Sequence, residues 1–218
     1  MMYKLSTYLN EFIETYRHDQ LVYLRTLKCA STFYSSLFEY NHWQKQKISD
    51  IDWNRDHVFS FIMDPMERRL KGLAEFLSMH PTQQALLEVT EIWPKISYLD
   101  YHSMPYSVSY KDYCSQIDWI PIDHPEFKSQ DLIKILLRDN GVKFDWAVND
   151  PHRSSDHKQQ IYNKIKELSG TLSGEVFVLL EQDQILYDNV CRSIQFCSKT
   201  WNSISWLKNL QNLAPHNK

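Results

Sequence analysis

The sequence predicts an α/β protein with a short central parallel sheet flanked by helices and a helix-rich C-terminal part. Two apolar runs, Leu21-Val22-Tyr23-Leu24 and Val58-Phe59-Ser60-Phe61-Ile62, read as buried strands. Each leads through a short polar turn into helical periodicity. Phe33, Tyr34, Leu37 and Phe38 follow the first, and Met66, Leu70, Leu73, Ala74 and Leu77 the second. The connection from the first helix to the second strand is short enough for one crossover unit, so the two strands are expected side by side and parallel.

The elements follow in order. Residues 3–16 read as an opening helix, with Tyr8, Phe12, Ile13 and Tyr16 on one side. At the second turn Asp64 is a good N-cap, Pro65 suits the first helical position, and Glu67 completes a capping box. Residues 98–125 are aromatic and punctuated by prolines, which reads as a loop-rich wall plus one strand. Two long helices are expected over residues 155–169 and 175–197, and a short terminal one around Trp201, Trp206 and Leu207. No repeat, linker or low-complexity segment interrupts the chain, so residues 1–218 read as a single domain.

Composition narrows the function classes. With 218 residues and 14% aromatics, the chain can bury a substantial core. A net charge of -3 gives no argument for nucleic-acid or membrane-surface partners. No stretch is long and apolar enough to span a bilayer, and Lys4, Asn10, Glu11 and Glu14 break up the start of the chain in a way signal peptides avoid. The four cysteines, Cys29, Cys114, Cys191 and Cys197, lack paired zinc-ligand spacing. A reduced, cytoplasmic protein is expected. His152 and His157 flank Asp156 among the nine histidines, but no His-Glu-x-x-His or clustered Cys/His pattern exists, and no metal is expected.

The chemistry concentrates in the turns. Unpaired N–H groups at a helix start, with the helix dipole, favour an anion. In Lys28-Cys29-Ala30-Ser31-Thr32 the lysine adds a full charge, and Ser31 and Thr32 can donate to phosphate oxygens. The framing glycines and the Gly-Lys-Ser/Thr ending of a Walker A loop are missing, and four glycines in the whole chain argue against a glycine-cradled nucleotide. The competing reading is a plain strand-to-helix connection capped by Ser31 with Lys28 solvated. In the second turn Arg68, Arg69 and Lys71 gather positive charge near a helix start. Asp64 and Glu67 can compensate that charge, which gives Arg68 a structural reading. Together the turns suit a ligand with phosphates at both ends.

These two segments resemble the sulfotransferase family, especially its carbohydrate branch. There a Pro-Lys-Cys/Ala-x-Ser/Thr-type loop holds the 5′-phosphosulfate of PAPS (3′-phosphoadenosine 5′-phosphosulfate), and an Arg-Asp-Pro-x-x-Arg-x-x-Ser segment holds its 3′-phosphate. Leu27-Lys28-Cys29-Ala30-Ser31-Thr32 matches the first apart from leucine for proline. Met63-Asp64-Pro65-Met66-Glu67-Arg68-Arg69-Leu70-Lys71 departs from the second, with Met63 for arginine and Lys71 for serine. Downstream, His102-Ser103-Met104-Pro105-Tyr106 resembles a His-x-x-Pro segment, and residues 117–122 and 127–137 a third strand and its helix. Residues 149–158 resemble a late cofactor-closing loop with Arg153, Ser154, Ser155 and Lys158. Residues 180–190, with Asp183, Leu186, Tyr187 and Asp188, resemble the closing helix. Residues 48–55 would be the remnant of a longer insert.

The resemblance implies a three-layer P-loop-like core and PAPS as sulfuryl donor to a hydroxyl or amine of a saccharide or small metabolite. It implies that Lys28, Cys29, Ala30, Ser31, Thr32, Asp64, Arg68, Lys71, Arg153 and Lys158 line the cofactor site. Lys28 would stabilise charge on the leaving phosphate, and a general base would take the acceptor proton. Among His42, His57 and His102, the last is preferred, because its segment should border the acceptor. Tyr106, Tyr110, Tyr113, Trp119 and Trp146 read either as a sugar-stacking wall or as core. The alternative is a degenerate member that binds another nucleotide or has lost catalysis, favoured by Met63. A P-loop-like kinase is disfavoured by the missing Walker lysine motif. The acceptor and the oligomeric state stay open.

Overall fold

The computed structural model describes residues 13–96, 98–110, 113–146, 155–170 and 172–198. The described residues group into two compact units. Residues 13–63, 113–146 and 187–198 form the first, and residues 64–110 and 155–186 form the second.

The first unit is built on a five-stranded mixed sheet. Strands β1 (Glu14–His18), β2 (Leu21–Leu24), β3 (Gln44–Lys47), β4 (His57–Ile62) and β5 (Asp118–Pro121) lie in the order β3-β1-β2-β4-β5. β2, β4 and β5 are parallel, with Leu21 opposite His57 and Phe59 opposite Asp118. β1 runs antiparallel to both β2 and β3, so the expectation of a purely parallel sheet is corrected. Residues 14–16, expected to end an opening helix, are strand instead. A two-residue turn, with Asp19 at φ 53°, folds β1 back onto β2 and pairs Tyr16 with Tyr23. Aspartate tolerates that left-handed conformation better than most residues. The rest of the opening segment, residues 3–12, and residues 201–207 lie outside the described residues.

Charges secure the antiparallel edge. The Arg17 guanidinium clasps Asp56, with one contact at 2.7 Å, and its Nε donates to Gln46 Oε1 at 2.8 Å. These bonds hold Asp56 below the usual carboxylate range. Helices α1 (Ser31–Tyr40) and α4 (Ser129–Asp139) flank the sheet. Tyr34 of α1 stacks on Phe61 at 3.9 Å between centroids, and Phe38 meets Tyr23 at 4.7 Å. Leu132, Ile133, Leu136 and Leu137 bury the apolar stripe of α4.

The second unit is helical. It holds α2 (Pro65–Met79), two 3-10 stretches (Pro81–Glu88 and Thr90–Lys95), the single turn α3 (Tyr106–Ser109) and α5 (Asp156–Ser169). α6 (Gly174–Ser198) contributes its residues 174–186 here and 187–198 to the first unit. Leu70, Leu73, Ala74 and Leu77 of α2 pack with Trp93, Ile161 and Ile165. Arg69 stays inside this core because it is saturated: Nε and Nη2 donate to Ile96 O at 3.0 and 2.6 Å, and Nη2 also to Trp93 O at 2.8 Å. Burial lowers its pKa to about 10, so it remains charged at neutral pH. No described helix is long and apolar enough to cross a membrane.

Candidate functional site

The turn between β2 and α1 lies at the carboxyl end of a parallel strand, where open α/β sheets gather their ligands. Behind it, Thr26 and Ser60 are fully buried and pair through their hydroxyls, and Ser60 Oγ also donates to Leu24 O at 2.5 Å. Buried hydroxyls need such partners, and these pin the chain as it leaves the sheet. Cys29 N donates to Thr26 O at 3.3 Å.

Backbone handedness then alternates. Lys28 and Ala30 take φ of 66° and 53°, while Cys29 and Ser31 do not share the positive sign. For residues with a β-carbon, each left-handed φ costs roughly 1–2 kcal/mol. Alternation of this kind turns successive N–H groups inward to make an anion-binding concavity. α1 then starts without a side-chain cap: Ala30 is its N-cap and Ser31 its first helical residue. The reading of Ser31 as cap is thereby corrected. An alanine cannot accept an amide hydrogen bond through its side chain, so Ser31 is displaced into the helix. Cys29 and Ser31 are buried, Lys28 is half-buried, and Ala30 and Thr32 are exposed.

The second unit disposes its predicted residues differently. Asp64 caps α2, accepting from Glu67 N at 2.9 Å. The Glu67 carboxylate, read as the return half of a capping box, accepts from Tyr162 Oη, which stands 2.8 Å from each oxygen. Arg68 is buried, donates to Met104 O and lies 4.3 Å from the centroid of Tyr106. Lys71 is exposed and faces Glu67 at 4.0 Å. Lys158 completes the Ser155 cap of α5 through its backbone N, while its Nζ binds Glu75 at 2.8 Å. Arg153 lies outside the described residues, as does His152. Among the described residues no group of His, Cys, Asp and Glu could hold a metal.

His102 is ordered by Asp100, which accepts its backbone N–H at 3.0 Å and pairs with Nδ1 at 2.6 Å. A carboxylate at Nδ1 selects the tautomer with its hydrogen there and leaves the lone pair on Nε2, the arrangement a base requires. His57 opens β4 and pairs through Nε2 with Asp118 at the amino ends of the parallel strands, in the first unit. His42 is exposed after α1, at φ 60°. Of the proposed wall, Tyr106, Tyr110 and Trp119 are buried, whereas Tyr113 and Trp146 are half-buried; Tyr113 stacks on Trp53 at 4.2 Å.

Two features escaped the sequence reading: the capping role of Asp183, named there only as part of the closing helix, and His124. Asp183 of α6 is buried and caps α3, accepting from Tyr106 N at 2.6 Å and Ser107 N at 2.8 Å. Burial pushes its carboxyl upward, against the pull of those amides and the Arg68 charge. The resemblance to a closing helix placed this acid but gave no sign that it caps another element. His124, in the loop from β5 to α4, carried no motif at all. Comparison of the chain with models of known families, with curated proteins and with solved structures yields no match.

Proposed function

We propose that this chain is a PAPS-dependent sulfotransferase that moves a sulfuryl group to a hydroxyl or amine of a saccharide or small metabolite. The observation that carries the reading is the β2–α1 turn. It combines Lys28, alternating backbone handedness and a helix start with no side-chain cap at the carboxyl end of a parallel strand. That donor set fits an esterified phosphate and its attached sulfonate, with strong N–H donors and a fixed positive charge. PAPS, when bound, supplies the transferable sulfuryl group and a phosphate leaving group.

The residues of the turn have defined tasks in this reading. Lys28 neutralises charge that grows on the bridging oxygen as the sulfur–oxygen bond breaks. The amides around Ala30 and the hydroxyls of Ser31 and Thr32 hold the 5′-phosphate. Within the second unit, His102, with Nδ1 turned to Asp100 and its lone pair at Nε2, is the group suited to act as a base.

A second reading is a degenerate member that binds another nucleotide or has lost catalysis. Burial of Met63 and the engagement of Arg68 with Met104 and Tyr106 favour it, because both bear on the segment assigned to the 3′-phosphate. Calorimetric titration with adenosine 3′,5′-bisphosphate, with AMP and ATP as controls, separates the two. Binding that requires the 3′-phosphate and disappears in Lys28→Ala supports the sulfotransferase. Binding no tighter than that of AMP sinks it and leaves the second reading.

A further inference from the structure

Two strand-to-helix turns leave the parallel sheet of the first unit on the same edge. β2 feeds α1 and β5 feeds α4, with β4 between them. Neighbouring strands stand about 4.8 Å apart, so the two exits are separated by about 10 Å, within the span of one phosphorylated ligand. Tyr34 Oη of α1 and Ser129 Oγ, the first residue of α4, hydrogen-bond at 2.8 Å and join the two helix starts. Like α1, α4 begins without a side-chain cap, at Lys128. Asp131 in its first turn is exposed and faces Lys134 at 3.5 Å.

The β5–α4 loop holds His124, which is 7% exposed. Its Nδ1 accepts from Glu126 N at 3.0 Å and Phe127 N at 3.3 Å. Both donors need the Nδ1 lone pair, so the hydrogen of the neutral ring sits on Nε2. That N–H is buried and has no hydrogen-bond partner among the described residues. A buried donor left without an acceptor costs about 1–3 kcal/mol and calls for a reason. On the imidazole ring Nε2 points away from the amides that hold Nδ1. The half-buried Phe127 ring stands 5.0 Å from the imidazole centroid.

We propose that His124 is a ligand-binding donor of this edge, giving its Nε2–H to an oxygen of a tetrahedral oxyanion, a phosphate or sulfonate group, seated between the β2–α1 and β5–α4 turns. The loop amides fix the tautomer, so the donor is set before the ligand arrives. The assignment deepens the sulfotransferase reading and rests on it for the nucleotide, though the oxyanion chemistry is common to both.

The test is nitrogen-15 imidazole NMR of the full chain, titrated separately with inorganic sulfate and with adenosine 3′,5′-bisphosphate. Expected are an Nε2–H tautomer for His124 in the free protein, a shift of that resonance with either anion, and bisphosphate affinity about tenfold weaker in His124→Phe. A response to sulfate without bisphosphate binding upholds the anion donor and removes the sulfotransferase. Bisphosphate binding that Lys28→Ala abolishes, with His124 silent, overturns the donor and leaves the sulfotransferase standing. Absence of binding by either anion, with His124 silent, overturns both, and an Nδ1–H tautomer in the free protein overturns the donor by itself. The wild-type spectra decide the matter even if His124→Phe fails to fold.

Discussion

Gly72 lies against the backbone of His102: a β-carbon on it would stand 2.3 Å from the His102 carbonyl oxygen and 2.5 Å from the Ser103 α-carbon. A glycine in the middle of α2 gives up about 1 kcal/mol of helix propensity relative to alanine, so the close approach is what requires it here. Gly72→Ala is expected to destabilise the protein by about 2 kcal/mol despite the better helix former, because backbone cannot yield as a side chain can. Urea unfolding followed by tryptophan fluorescence checks the sign, and a gain in stability would contradict the packing.

Asp183 and α3 give a second test. Asp183→Leu leaves the Tyr106 and Ser107 amides without their acceptor and is expected to cost about 2–4 kcal/mol, whereas Asp183→Asn, which keeps one acceptor oxygen, should cost less. The wild-type carboxyl is pushed up by burial. The folded state therefore binds more protons than the unfolded state above the ordinary aspartate value of about 4, and this group's contribution falls as pH rises through its raised pKa. Thermal melting against pH should lose that descending component in Asp183→Asn.

Asp56 has the opposite sign. The Arg17 hydrogen bonds lower its pKa, so its contribution is complete above the ordinary aspartate value of about 4 and disappears as pH falls through the depressed one. Arg17 is raised by the same pair. Asp56→Asn is expected to cost about 1–3 kcal/mol at neutral pH and clearly less at acid pH. Denaturation midpoints at the two pH values would expose an error, since equal losses at both would mean that the ion pair contributes nothing.

Ala30 bears a left-handed φ without being glycine. Ala30→Gly is expected to raise stability by up to about 1 kcal/mol, and Ala30→Val to lower it by more than that. Differential scanning calorimetry of the pair checks the local strain independently of any ligand.

β2 and β4 were legible because they are unbroken apolar runs, and α2 because its apolar positions recur at helical spacing behind Asp64 and Pro65. β1 was not, since its assignment depends on partners distant in the chain. Glu14 pairs with Arg25 and Lys45, and Arg17 with Asp56, none of which a local window reveals. β3, Gln44-Lys45-Gln46-Lys47, has no apolar residue and is a strand only because β1 pairs with it. At the candidate site the residue types of the β2–α1 turn were readable, but its handedness was not, because neither Lys28 nor Ala30 announces a positive φ as glycine or asparagine would. His124 gave no signal because its distinguishing property, a buried Nε2 without a partner among the described residues, exists only in the packed loop.

The chain order of the sheet has a kinetic consequence. β1 through β4 and α1 lie within one stretch of sequence, whereas β5 reaches β4 only after residues 64–110 of the second unit have intervened. Closing that long loop carries an entropic cost that the hairpin of β1 and β2 escapes. Refolding should therefore assemble β1 to β4 and α1 early and add β5 last. In pulse-labelling hydrogen exchange the amides of Tyr16 and Tyr23 would gain protection before those of Trp119 and Ile120. On that timetable α1 has its start in place on β2 and β4 before β5 and α4 arrive, so the edge between the two turns matures after the rest of the sheet.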